Sequence, residues 1–120
     1  MKPQINNTKF GSISVDGKKY KHDIYISVDG KVSKRKKKLS KAIYGSSHTI
    51  ALDEIKYFFD DKADGIVIGT GQYGIAKLSF EADEFLHSKN CRIHILPTPE
   101  AVDEWNTCEG KLLGLFHVTC

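Results

Sequence analysis

The chain has 120 residues and a mass of 13.5 kDa, the size of one ordinary domain, so separate cofactor and substrate domains are excluded and residues 1–120 are read as a single unit. With 40% hydrophobic and 28% charged residues, three prolines and ten glycines, disorder and low complexity are excluded as well. The net charge of +3 hides a division: residues 1–50 carry +9 and residues 51–120 carry −6.

No stretch approaches the roughly 18 to 20 apolar residues needed to cross a bilayer, and the start Met1-Lys2-Pro3-Gln4 has no hydrophobic signal region. A soluble protein without membrane insertion is expected, so Asn6-Asn7-Thr8 is a glycosylation sequon only in form. Cys91, Cys108 and Cys120 are odd in number and include no C-x-x-C pair. They indicate neither a disulfide framework nor a paired-cysteine zinc site, and a reducing cytoplasm fits them.

Asp16-Gly17 and Asp29-Gly30 are hairpin turn pairs between segments rich in Ile, Val, Tyr and Ser, which predicts an antiparallel three-strand meander over the first third. In its second strand Tyr20, His22, Ile24, Ile26 and Val28 share one face, leaving Lys19, Lys21 and Asp23 on the other. Between Lys31 and Lys41, seven of eleven positions are Lys or Arg. Such a run reads as an exposed strand edge protected by charge, or as an attractor of phosphates and acidic surfaces. Gly45-Ser46-Ser47-His48 is a small polar loop leading into the first helix.

That helix is marked by Leu52, Ile55, Phe58 and Phe59, and the glycine-bounded strand Gly65–Gly69 follows it. Ser79 predicts the N-cap of a second helix with Phe80, Phe85 and Leu86 inward, ending near Asn90 before strand Cys91–Leu96. Thr98 as N-cap, Pro99 at the first helical position and Gly110 at the end predict a third helix, and Leu112–Val118 makes the last strand. The fold class is therefore α/β, a mixed sheet in which an N-terminal antiparallel meander precedes a βαβαβ unit with parallel strands. Parallel strands bring Gly69–Gly74, Pro97–Pro99 and His117–Cys120 to one rim, the edge where open α/β sheets bind ligands.

Gly69-Thr70-Gly71-Gln72-Tyr73-Gly74 matches G-x-G-x-x-G after a strand. The strand that follows ends in Leu96-Pro97-Thr98, without the acid that would hold a ribose, and Ile75-Ala76 stands where a phosphate loop has its lysine and hydroxyl. No nucleotide cofactor is expected. The rim residues Gly69, Thr70, Gly71, Gln72, Tyr73, Gly74, Thr98 and His117 form the candidate ligand-binding set, for a small anion. His117 and Cys120, three apart on a strand, point to opposite faces and read as buried packing residues rather than a catalytic or metal pair. Tyr20, Tyr25, Tyr44 and Tyr73 interleave with lysines without an RNA-binding signature, so nucleic-acid binding is not expected.

Phe10-Gly11-Ser12-Ile13, Ile66-Val67-Ile68-Gly69-Thr70-Gly71-Gln72, Pro97-Thr98-Pro99-Glu100-Ala101 with Trp105-Asn106, and Gly114-Leu115-Phe116-His117-Val118-Thr119-Cys120 occur in order. With them the chain resembles the domain-of-unknown-function family four-nine-eight, also called the Mth nine-three-eight-like family, almost end to end. The resemblance implies a compact α/β domain without an established reaction. Its eukaryotic relatives include a respiratory complex I assembly factor and an adipogenesis-associated protein. No catalytic residue is carried over, and the start lacks the Arg-rich, amphipathic character of a mitochondrial transit segment. Two functions are expected on these grounds. One is a non-catalytic binding or assembly module with a protein partner; the other is a small-molecule enzyme or sensor holding an anion at the rim. Oligomeric state is left open.

Overall fold

The computed structural model describes residues 2–120. Strands β1 (Ile5–Lys9), β2 (Ser12–Val15) and β3 (Lys18–Tyr20) form a three-stranded antiparallel sheet. The turn between β2 and β3 has Asp16 and Gly17 both at positive φ, 47° and 82°, the geometry that makes Asp-Gly a hairpin pair.

The meander does not continue in that sheet. Residues 21–23 interrupt the expected second strand, and β4 (Ile24–Ile26) and β5 (Val32–Lys34), joined through Asp29-Gly30, belong to a five-stranded sheet. The break sets Asp23 inward, buried, whereas simple alternation puts it on the solvent face with Lys19 and Lys21. Helix α1 (Lys38–Tyr44), not foreseen, then occupies the end of the basic run. It closes on Gly45 in the left-handed region, whose N–H donates to the Lys41 carbonyl at 2.8 Å. The Gly45–His48 loop therefore separates two helices.

The remainder runs β6 (Thr49–Ile50), α2 (Leu52–Phe58), β7 (Gly65–Thr70), β8 (Lys77–Leu78), α3 (Phe80–Ser88), β9 (Arg92–Leu96), α4 (Thr98–Thr107) and β10 (Leu112–His117). The large sheet has the order β5-β4-β10-β7-β9, with β7 parallel to both β9 and β10, as the βαβαβ reading requires, and β4 antiparallel to β10. Strands β6 and β8 form a short parallel pair.

Alternation sorts the sheet's side chains into two cores. Ile24, Ile26, Val67 and Phe116 face α4 and the three-stranded sheet, meeting Trp105, Ile5 and Ile13. Tyr25, Ile66, Ile68, Leu113 and Leu115 face α2 and α3, meeting Ile55, Ala82 and Leu86. Ser79 caps α3 as expected, its hydroxyl accepting from the Ala82 N–H at 3.1 Å. Phe80 lies outward instead of inward, and Ala82 takes the buried position. Among the described residues no helix is long and apolar enough to cross a membrane.

Candidate functional site

The rim converges as the topology predicts. Thr98, at the start of α4, donates its hydroxyl to the carbonyl of His117 at 2.5 Å and accepts from the Gly71 N–H at 2.8 Å. That hydroxyl therefore fastens three strand ends together and does not cap the helix, whose preceding residue is Pro97. Gly69 permits this closeness, since a Cβ there would lie 2.8 Å from the Thr98 hydroxyl. Thr70 donates to the Leu96 carbonyl at 3.1 Å.

The glycine turn is closed on the chain's own tail. The Gln72 N–H donates to the Thr119 carbonyl at 2.7 Å, the Tyr73 and Ile75 N–H groups to the Cys120 carbonyl at 3.3 and 3.2 Å, and the Gly74 N–H to the Gly71 carbonyl at 3.1 Å. These are the donors that would cradle a phosphate in a free glycine loop. Gly71, at φ 105°, has no room for a side chain, because a Cβ would fall 2.3 Å from the carbonyl carbon of Cys120. The Gln72 amide reaches the Thr8 hydroxyl at 3.0 Å. Tyr73 points outward, 73% exposed, with its ring 6.1 Å from that of Phe10.

Behind the rim lies a buried ionic network. Asp23 accepts from His117 Nδ1 through Oδ2 at 2.8 Å and from the Val118 N–H through Oδ1 at 2.9 Å. Arg35 donates Nη1 to the same Oδ2 at 2.9 Å, and its Nε and Nη2 grip both oxygens of Glu54 at 2.6 and 2.9 Å. Glu54 also accepts from the hydroxyls of Tyr25 at 2.7 Å and Ser40 at 2.6 Å. Among the described residues, no buried side-chain nitrogen or oxygen lacks a partner.

The network fixes its own charges. Burial pushes the Asp23 carboxyl up, yet the hydrogen bond and charge of His117, the Val118 N–H and Arg35 outweigh it and hold the group down to about 2. Burial opposes the Arg35 charge in the same way, and Glu54 and Asp23 together raise the guanidinium above its ordinary value. Tyr25 is pushed up by burial and by the Glu54 carboxylate beside it. Because a carboxylate can only accept, Nδ1 of His117 carries a proton.

Asp23, His117 and Thr119, whose hydroxyl lies 3.3 Å from His117 Nε2, follow the order of an acid–base–hydroxyl relay. His117 is only 3% exposed, however, and the nearby Gln72 N–H is given to Thr119's own carbonyl. The set is built to hold the tail in place.

Of the residues that organise this centre, sequence reasoning places only His117. It misses Asp23, Arg35, Ser40, Glu54 and Tyr25. One signal is present: Arg35 is the single arginine among six lysines between residues 31 and 41, and its planar fork suits a bidentate buried partner where a lysine does not.

Comparison with known proteins gives the family without a reaction. The description "Protein of unknown function (DUF498/DUF598)" matches residues 5–113. The conserved hypothetical protein PH1505 from Pyrococcus horikoshii OT3 is 31% identical with a TM-score of 0.90, over 98% of this chain and 99% of that one. A second solved structure, that of MT938, is also 31% identical, with a TM-score of 0.84 over the same shares. A protein from Bordetella parapertussis, 16% identical over 97% of this chain and 95% of that one, shares the fold at a TM-score of 0.66. No curated protein matches the chain. By the extent of the family match and by the likeness to PH1505 and MT938, the chain belongs to the DUF498/DUF598 family of proteins of unknown function.

Proposed function

We propose that the protein is a non-catalytic binding module that docks an acidic protein partner through its basic segment. The carrying observation is the way residues 34–38 are mounted. Arg35 turns inward to Asp23 and Glu54, and the Lys36 N–H donates to the Tyr25 hydroxyl at 3.0 Å. Lys34, Lys36, Lys37 and Lys38 are left exposed around a groove of about 260 Å³. Anchored backbone with outward lysines lowers the ordering cost of an electrostatic contact.

The test is capture from a native lysate with the tagged chain and with a variant carrying Lys34→Glu, Lys36→Glu, Lys37→Glu and Lys38→Glu. Acidic proteins recovered by the wild type, released by moderate salt and absent with the variant are expected. Recovery of the chain alone, or of the same proteins by both forms, would overturn the reading. The second reading, an enzyme or sensor holding a small anion among Gly69, Thr70, Gly71, Gln72, Tyr73, Gly74, Thr98 and His117, draws on the convergence of the rim. It requires Thr119 and Cys120 to leave the glycine turn first.

A further inference from the structure

At the C-terminal end of α4, three metal-binding side chains meet. His94 lies on β9 in register with Val67 of β7, and its ring therefore faces α4. Glu104 and Cys108 are four residues apart, Cys108 being the residue that ends that helix, so both fall on one helical face. Glu104 Oε2 lies 2.8 Å from His94 Nδ1, and Cys108 Sγ lies 3.9 Å from His94 Nε2. One ligand atom from each residue can be chosen so that all three lie within 4.8 Å of one another.

We infer that His94, Glu104 and Cys108 form a binding site for a zinc ion. Imidazole nitrogen, carboxylate oxygen and thiolate sulfur together suit a borderline-soft cation and exclude calcium and magnesium as the preferred occupants. Tetrahedral zinc with bonds of about 2.0 to 2.3 Å places its ligand atoms roughly 3.3 to 3.7 Å apart. The 2.8 and 3.9 Å contacts use different nitrogens of His94; with one nitrogen as the ligand the three donor atoms lie within 4.8 Å of one another, and rotation of side chains on a fixed backbone draws them together. The backbone is fixed on both sides: β9 by its ladder to β7, and the helix end by the Cys108 N–H bond to the Glu104 carbonyl at 2.8 Å and by the Lys2 ammonium, which donates to the carbonyls of Trp105 and Cys108. The His94 and Glu104 side chains are 21% and 38% exposed. An ion can therefore arrive from solvent and keep water as its fourth ligand, the coordination of an open zinc site.

The test uses the full chain after chelator treatment and cobalt(II) as a spectroscopic substitute for zinc. We expect one cobalt per chain, a thiolate-to-cobalt charge-transfer band in the near ultraviolet, and loss of the band as zinc displaces cobalt. Cys108→Ser should abolish the band, and His94→Gln or Glu104→Gln should weaken zinc binding by roughly tenfold or more, whereas Cys120→Ser should leave both unchanged. Absence of the band, or its survival in Cys108→Ser, would overturn the inference. A measurement on the wild type alone guards against variants that misfold: zinc should slow alkylation of Cys108, read by peptide mass spectrometry, without slowing that of Cys120. Equal protection of both cysteines, or of neither, would also overturn it.

Discussion

Asp23 holds His117 twice over, by side chain and by the backbone that follows: its two oxygens take the imidazole Nδ1–H at 2.8 Å and the Val118 N–H at 2.9 Å, across 94 and 95 residues of chain. One carboxylate thereby ties the start of β4 to the end of β10 and orients the tail that fills the glycine turn.

The depressed Asp23 value links this tie to pH. A carboxyl at about 2 in the folded chain, against the ordinary 3.8 of an unfolded one, contributes stability that is fully present above pH 4 and is lost as pH falls through about 2. By 1.36 kcal/mol per unit the contribution is about 2 kcal/mol. Urea unfolding at a series of pH values should show this loss between pH 4 and 2, and Asp23→Asn should be less stable at neutral pH with a flattened acid limb.

Breaking the buried pairs should cost more than removing any exposed lysine. Arg35→Met leaves Glu54 and Asp23 buried without their cation, and a loss of about 3 to 5 kcal/mol is expected. Lys37→Ala, a few residues away and exposed, should change stability by about 0.5 kcal/mol or less. Denaturation midpoints measured side by side check the contrast.

Gly71→Ala should release the tail. The new Cβ would collide with the Cys120 backbone, and the residue must also hold φ 105°, so a destabilisation of about 2 kcal/mol or more is expected. Hydrogen exchange at Gln72, Tyr73 and Ile75 should rise more than at residues of β7, since these three amides donate to Thr119 and Cys120.

The same amides separate the two functional readings. Phosphate titrated into the wild type should leave the NMR shifts of Gly71, Gln72, Tyr73 and Ile75 in place, because each N–H already has an acceptor within the chain. Saturable shifts there, together with shifts at Thr98 and His117, would reinstate the rim as an anion site.

The parallel core is legible because its signals are local. Glycines bound β7, Ser79 begins α3 and the apolar run 112–118 carries β10, and each demands one local geometry whatever surrounds it. What escapes depends on distant partners. Helix α1 has no acidic residue in its first turn and no hydrogen-bonded cap at its start, and its buried residue is Ser40, whose reason for burial is Glu54. The interruption at residues 21–23 exists for Arg35, His117 and Val118, none adjacent to Asp23 in sequence. Thr98 does stand at a helix start, yet its hydroxyl accepts from the Gly71 N–H instead of a helix N–H and donates to the His117 carbonyl. Composition can locate the rim and cannot show that the chain itself occupies it.

The position of β4 beside β10 has a consequence for synthesis. The first fifty residues contain Asp23, Arg35 and strands β4 and β5, but β4 reaches the large sheet only through β10. On the ribosome, those residues emerge with a buried-type cation and acid whose partners Glu54 and His117 are not yet made. Their antiparallel ribbon can form, but the ionic centre and the sheet cannot close until residues near 117 have left the exit tunnel. Folding should therefore be limited by long-range closure, with a highly basic nascent segment standing open until the acidic half arrives to neutralise it.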